Sequence, residues 1–270
     1  MLIIIVYGTT KYYNFVPAPQ PVRRRKPLTM IPQYDLEKIK YGIDRGTWEK
    51  AVDLYESGKV KNFRDTGFTF TADVQGTHFY KVIVSPKSYS DGNCTCYLGE
   101  NGTLCKHMIV AAIYALKKGK PLTDEERTQH NEIKFSSKIG NITQDQLNLS
   151  KAEIFGAMRY IKAYSGPSRI WFAYQDSLTE GCNRLASIFS SLPANRPTAN
   201  LIIKTILRLD RKLTTGGVDD SDGTVGGLIE EAVGLLIEYA KADHECVKEF
   251  ESLKGKETCF GWEEPLLKFL

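Results

Sequence analysis

The sequence predicts an α+β protein, in which a small module of antiparallel strands and helices is followed by an all-α helical domain. Three observations predict it. Residues 60–85 alternate apolar and polar side chains with period two, as half-buried strands do. Cys94-Thr-Cys96 and Cys105-Lys-His107 flank an eight-residue spacer and run straight into the apolar stretch Met108–Leu116. From Gln144 onward apolar residues recur at three and four with no strand pattern, as packed helices require.

At 270 residues the chain has room for one large domain or two smaller ones. With 42% hydrophobic and 25% charged residues it has the composition of an ordinary globular protein. No apolar run approaches the roughly 20 residues that a membrane span needs. Met1–Tyr7 is apolar but lacks a basic leader and a small-residue cleavage site. It reads as a strand, an irregular start or an initiator placed too far upstream, and the protein is expected in the cytoplasm. Residues 1–120 hold 18 Lys and Arg against 10 Asp and Glu, whereas residues 121–270 hold 18 against 22. A basic half joined to an acidic one suits a polyanion-binding module attached to a different kind of domain.

Residues 1–33 read as a flexible, Pro-rich arm. Pro17, Pro19, Pro21, Pro27 and Pro32 surround Arg23, Arg24, Arg25 and Lys26, so the segment can bury little but can reach phosphates. Residues 34–120 form the first module. Trp48, Ala51, Val52 and Tyr55 mark a helix over residues 34–58, with Asp44 or Thr47 to cap it and Gly58 to end it. Phe68, Phe70, Ala72 and Val74 point to one face of a strand that turns at Gln75-Gly76 and returns through Phe79–Val84.

The cysteines carry the chemistry. Cys94, Cys96, Cys105 and His107 supply three thiolates and an imidazole within 14 residues, enough to close a tetrahedral Zn²⁺ shell. If residues 93–97 are extended, Cys94 and Cys96 face the same way. Residues two apart on a helix diverge by roughly 200°, so Cys105 belongs just before the first turn and His107 inside it. The positive helix end and Lys106 then offset the formal charge of the zinc-loaded site. The other cysteines, Cys182, Cys246 and Cys259, are scattered, and three clustered thiols favour metal over disulfides.

This pattern, Cys-x-Cys-(x)n-Cys-x-His between short strands and an apolar helix, resembles the SWIM zinc finger, with all four ligand positions present. Gly46–Val60 looks like the helix and turn that lead into that family's strands, and the resemblance spans about Gly42–Lys120. The family occurs in bacterial and archaeal proteins, with Swi/Snf-type ATPases and in Mutator-type transposases. The resemblance implies a structural zinc module that binds DNA or protein, without catalysis. Lys59, Lys61, Arg64, Lys81, Lys87, Lys106, Lys117 and Lys118 would line a basic face beside Tyr80 and Tyr97, joined by Arg23, Arg24 and Arg25 of the arm.

Residues 121–150 read as a polar linker and 151–270 as the helical domain. Helices are expected from Gln144 to near Tyr164, then over residues 168–192, 196–213 and 224–242, with shorter ones at 247–253 and 265–270. Thr214–Gly227 is rich in glycine and aspartate but fits neither an EF-hand frame nor a P-loop, and reads as a loop capping the next helix. Phe260 and Trp262 are expected to pack back onto the bundle, the other reading being an anchor for a partner. Tyr164–Ser168, Trp171–Asp176 and Cys259–Pro265 are similar to the tails of small, uncharacterised prokaryotic SWIM proteins.

The expected function is therefore a zinc-binding module that binds nucleic acid and a protein partner. The alternative is an adaptor for a recombinase-like or Swi/Snf-type ATPase without nucleic-acid contact. Neither reading involves a membrane or a small-molecule substrate. Four protein ligands leave no open position on the metal, and His78, His130 and His244 offer no cysteine a convincing base, so no enzymatic activity is expected.

Overall fold

The computed structural model describes residues 30–129, 132–168 and 171–270. The arm with Arg23, Arg24 and Arg25, and His130, lie outside them. The architecture is α+β, as expected: one small antiparallel sheet with short helices, then a helical body.

The first helix expected over residues 34–58 is two helices, α1 (Leu36–Tyr41) and α2 (Arg45–Glu56). α1 ends at Gly42, where only glycine fits, since the Tyr89 hydroxyl stands 2.3 Å from where a Cβ would be. Asp44 then restarts the helix by accepting the Thr47 N–H at 2.9 Å. After Gly58, whose φ is +61°, β1 (Val60–Asp65), β2 (Phe70–Gln75), β3 (Phe79–Val84) and β4 (Gly92–Cys94) pair in sequence order, each antiparallel to the next.

Phe70, Ala72, Val74, Val82 and Val84 form the buried face of the sheet. Phe68 does not join them. It is 85% exposed, because Thr66–Thr69 closes a turn with Gly67 at positive φ before β2 begins. The buried face packs on α4 (Lys106–Lys117), which in turn packs on α2, and Trp48, Ile109 and Ile113 are fully buried between them. α3 (Tyr97–Glu100) is a single turn after β4.

The start of the expected linker, residues 121–129, docks on the first module although most of 121–150 is exposed. Leu122 and Gln129 are buried, and the Trp48 indole N–H donates to the Arg127 carbonyl at 2.8 Å. Residues 121–150 include α5 (Asp124–Arg127) and the start of α6 (Gln144–Ala157), both opened by capping boxes. The helical body continues with α7 (Trp171–Ser191), α8 (Arg196–Thr214), α9 (Thr224–Ala242), 3₁₀ turns at His244–Leu253 and Cys259–Gly261, and α10 (Glu264–Leu267). It holds a second core around Leu178, Leu185, Phe189, Ile202, Ile206, Leu236, Tyr239 and Phe250. Among the described residues, no helix is long and apolar enough to cross a membrane.

The two cores meet along α1 and α7. Arg184 donates to Glu180 and to Glu37, each at 3.0 Å, and Lys38 reaches Glu180 at 3.3 Å. The Arg184 guanidinium lies 5.2 Å from the Tyr41 ring and 4.9 Å from the Tyr160 ring.

Candidate metal centre

Three elements deliver the four ligands. Cys94 ends β4, Cys96 is the N-cap of α3, Cys105 is the N-cap of α4, and His107 lies in its first turn. Cys105 and His107 sit where their spacing requires. Cys96 does not continue a strand to Tyr97: the strand stops at Cys94 and α3 begins at once, yet the extended backbone at Cys96 still turns its sulfur to the same site. All four ligand atoms lie within 4.8 Å of one another, and all four residues are buried. His107 Nδ1 is 3.8 Å from Cys94 Sγ and 4.0 Å from Cys105 Sγ. The protein thus carries a buried Cys₃His group positioned to bind a metal ion.

Neighbours fix each ligand. The Gly99 N–H donates to Cys96 Sγ at 3.4 Å, and a Cβ at Gly99 would stand 2.2 Å from the Cys94 carbonyl oxygen. The His107 ring stacks on Tyr80 at 4.4 Å and 27°, while its Nε2 faces the turn at Gly76. With Nδ1 toward the sulfurs, the metal-binding tautomer carries its proton on Nε2. Among the thiols, the hydrogen bond from Cys94 pulls the Cys105 thiol down, and the same pairing together with burial pushes Cys94 up. A divalent ion would replace those protons and neutralise most of the charge.

The basic residues divide into groups. The strand pairing puts Lys61 opposite Asp73, Asp73 opposite Lys81, and Arg64 opposite Thr71, so Lys61, Arg64 and Lys81 share the outer face of the sheet, away from α4. Lys59 is half-buried, Lys87 is exposed on the loop after β3, and Lys106 is half-buried beside the metal ligands. Lys117 is held by Glu126 at 2.8 Å, and Lys118 caps α4 at its far end. Tyr80 is committed to stacking on His107, whereas Tyr97 is 81% exposed. The turn at Gly76 was marked by the sequence, but its approach to His107, the close contact at Gly99 and the stacking of Tyr80 were not, since nothing in the spacing marks them.

In the helical half the acidic loop caps α9. Asp220 accepts the Val225 and Gly226 N–H groups at 2.7 and 2.8 Å, and Asp219 accepts the Trp171 indole N–H at 3.0 Å. Trp262 packs inward and donates to buried Asp210 at 3.0 Å. Phe260 departs from expectation, being 88% exposed at φ +64°, because the left-handed turn that buries Trp262 throws its neighbour outward.

No family model matches the chain, and no solved structure matches it. Its sequence is similar to the alkanal monooxygenase alpha chains of Photorhabdus laumondii subsp. laumondii and of Photorhabdus luminescens, each 28% identical over 110 residues. The match covers 34% of this chain and 30% of each relative, so the chain spans about a third of their length. Both relatives are enzymes, and this corrects one expectation: the assignment of the chain as a protein without enzymatic activity does not stand.

Proposed function

We propose that the protein is a zinc-stabilised module of the SWIM type, which acts in the cytoplasm, contacts nucleic acid through its basic half and engages a protein partner through its helical half. The observation that carries the reading is the buried Cys₃His group beneath a sheet whose outer face gathers Lys61, Arg64 and Lys81. Soft thiolates with one imidazole suit zinc, and the Nδ1 to Sγ separations of 3.8 and 4.0 Å lie close to a tetrahedral S–N edge. That edge is about 3.6 Å for ordinary Zn–S and Zn–N bond lengths. The six unpaired cysteines are in keeping with a reducing compartment.

The test is a mobility shift of the full, metal-loaded chain on nucleic acid across a salt series. Binding that weakens steeply with salt supports the reading, because phosphate contacts release counterions. Binding to a protein alone, at every salt concentration, favours the adaptor reading. The similarity to the alkanal monooxygenases favours a second reading, in which the matched third belongs to a monooxygenase acting on an alkanal. Oxygen uptake that depends on an added alkanal in the presence of a two-electron reductant is the measurement for that one.

A further inference from the structure

The outer face of the sheet carries aromatic and aliphatic side chains among its cations, which a merely solvated strand face does not require. Phe79 is 63% and Ile83 45% exposed, and they alternate with Lys81 on β3. Thr95, whose N–H donates to the Lys81 carbonyl at 3.1 Å, leads two residues later to Tyr97, 81% exposed. Phe79 and Lys81 therefore share one end of the face, and Tyr97 stands exposed just beyond β4 as the first residue of α3. Lys61 lies two strands away from Lys81, about 10 Å at ordinary strand spacing. Arg64 occupies the next row, opposite Thr71 and across from Ile83.

Resting on the nucleic-acid reading above, we infer that the occupant of this face is a single strand of nucleic acid. Phe79 and Tyr97 offer flat surfaces on which unpaired bases stack, while Lys61, Arg64 and Lys81 meet the phosphates. In a duplex the base faces are covered by their neighbours, so exposed rings on a sheet would find only backbone and groove edges. An acidic peptide would satisfy the three cations but leave the rings without a specific role. Asp73 stands in the middle of the Lys61–Lys81 row, held by the Asn62 amide at 2.8 Å, and is the one acidic side chain of the two rows. It opposes the phosphates and limits affinity.

The experiment titrates the full, metal-loaded chain into labelled oligothymidylate, oligouridylate and a duplex of equal length, read by fluorescence anisotropy. Either single strand should bind at least about tenfold more tightly than the duplex. F79A and F79L should each weaken single-strand binding about five- to a hundredfold while sparing the metal content, since one stacked base is worth that much. D73N should tighten it. Equal affinity for duplex and single strand, with F79A silent, overturns the inference and leaves the nucleic-acid reading standing. No binding to any of the three at low salt overturns both, and retention of polyglutamate in their place contradicts the inference as well.

Discussion

At the scale of single residues, the account turns on how little room surrounds the ligands. Gly99 is there because any side chain would press on the Cys94 carbonyl, 2.2 Å from a Cβ. G99A should therefore push one ligand off its position, destabilising the protein by about 1–3 kcal/mol, the usual cost of overpacking. A competition with a colorimetric chelator would show zinc leaving G99A at a lower chelator concentration than wild type; an unchanged midpoint would argue against the packing described. H107A should lose the metal outright, and with it the order of residues 46–120, while much of the helical half stays folded. Circular dichroism with hydrogen exchange separates the two halves, and unchanged protection of β2 and β3 would contradict the expectation. The ligands were legible in the sequence because their spacing alone selects a metal site. The packing of Gly99, Gly76 and Tyr80 against them was not, because a close approach between segments leaves no local signature.

At the scale of elements, electrostatic pairing gives a pH-dependent expectation. Burial pushes the Glu249 carboxyl up, but Arg196 and Asn200 outweigh it and hold the group below its ordinary 4.5. A depressed carboxylate stabilises the fold fully above its unfolded value and loses that contribution as pH falls through the folded one. E249Q should thus cost on the order of 1 kcal/mol at pH 7, a figure discounted for the exposure of Arg196. The gap from wild type should close as pH drops below 4.5, as thermal melts at a series of pH values would show. Helix periods in the sequence located α7 to α9 closely, since long amphipathic repeats survive any packing, whereas the helix expected to near Tyr164 ends at Ala157. The periods ran through Gly42, where α1 ends, and the strand alternation ran through Phe68, which a turn takes out of β2. Phe260 failed for the same reason: the backbone turn, not hydrophobicity, sets its exposure.

At the scale of the molecule, two hydrophobic cores are joined by a polar clamp. Glu180 is nearly buried and pairs with both Arg184 and Lys38, so R184A leaves that carboxylate with Lys38 as its one cation. The expected cost is about 3 kcal/mol, near the lower end for breaking a buried pair. The expected sign is that the two halves cease to unfold together, giving two transitions where wild type gives one. Coincident transitions in R184A would mean that the apolar contacts of α1 with α7 couple the halves unaided. Glu180 and Arg184 are an ordinary i,i+4 helix pair, but no charge pattern announced that Glu37 and Lys38 join them from more than 140 positions away.

The most direct measurement is the metal content of the purified full chain, by elemental analysis paired with native mass spectrometry. The account predicts one zinc per chain in the wild type and none in H107A. A wild-type chain folded as described here but free of stoichiometric metal would contradict it.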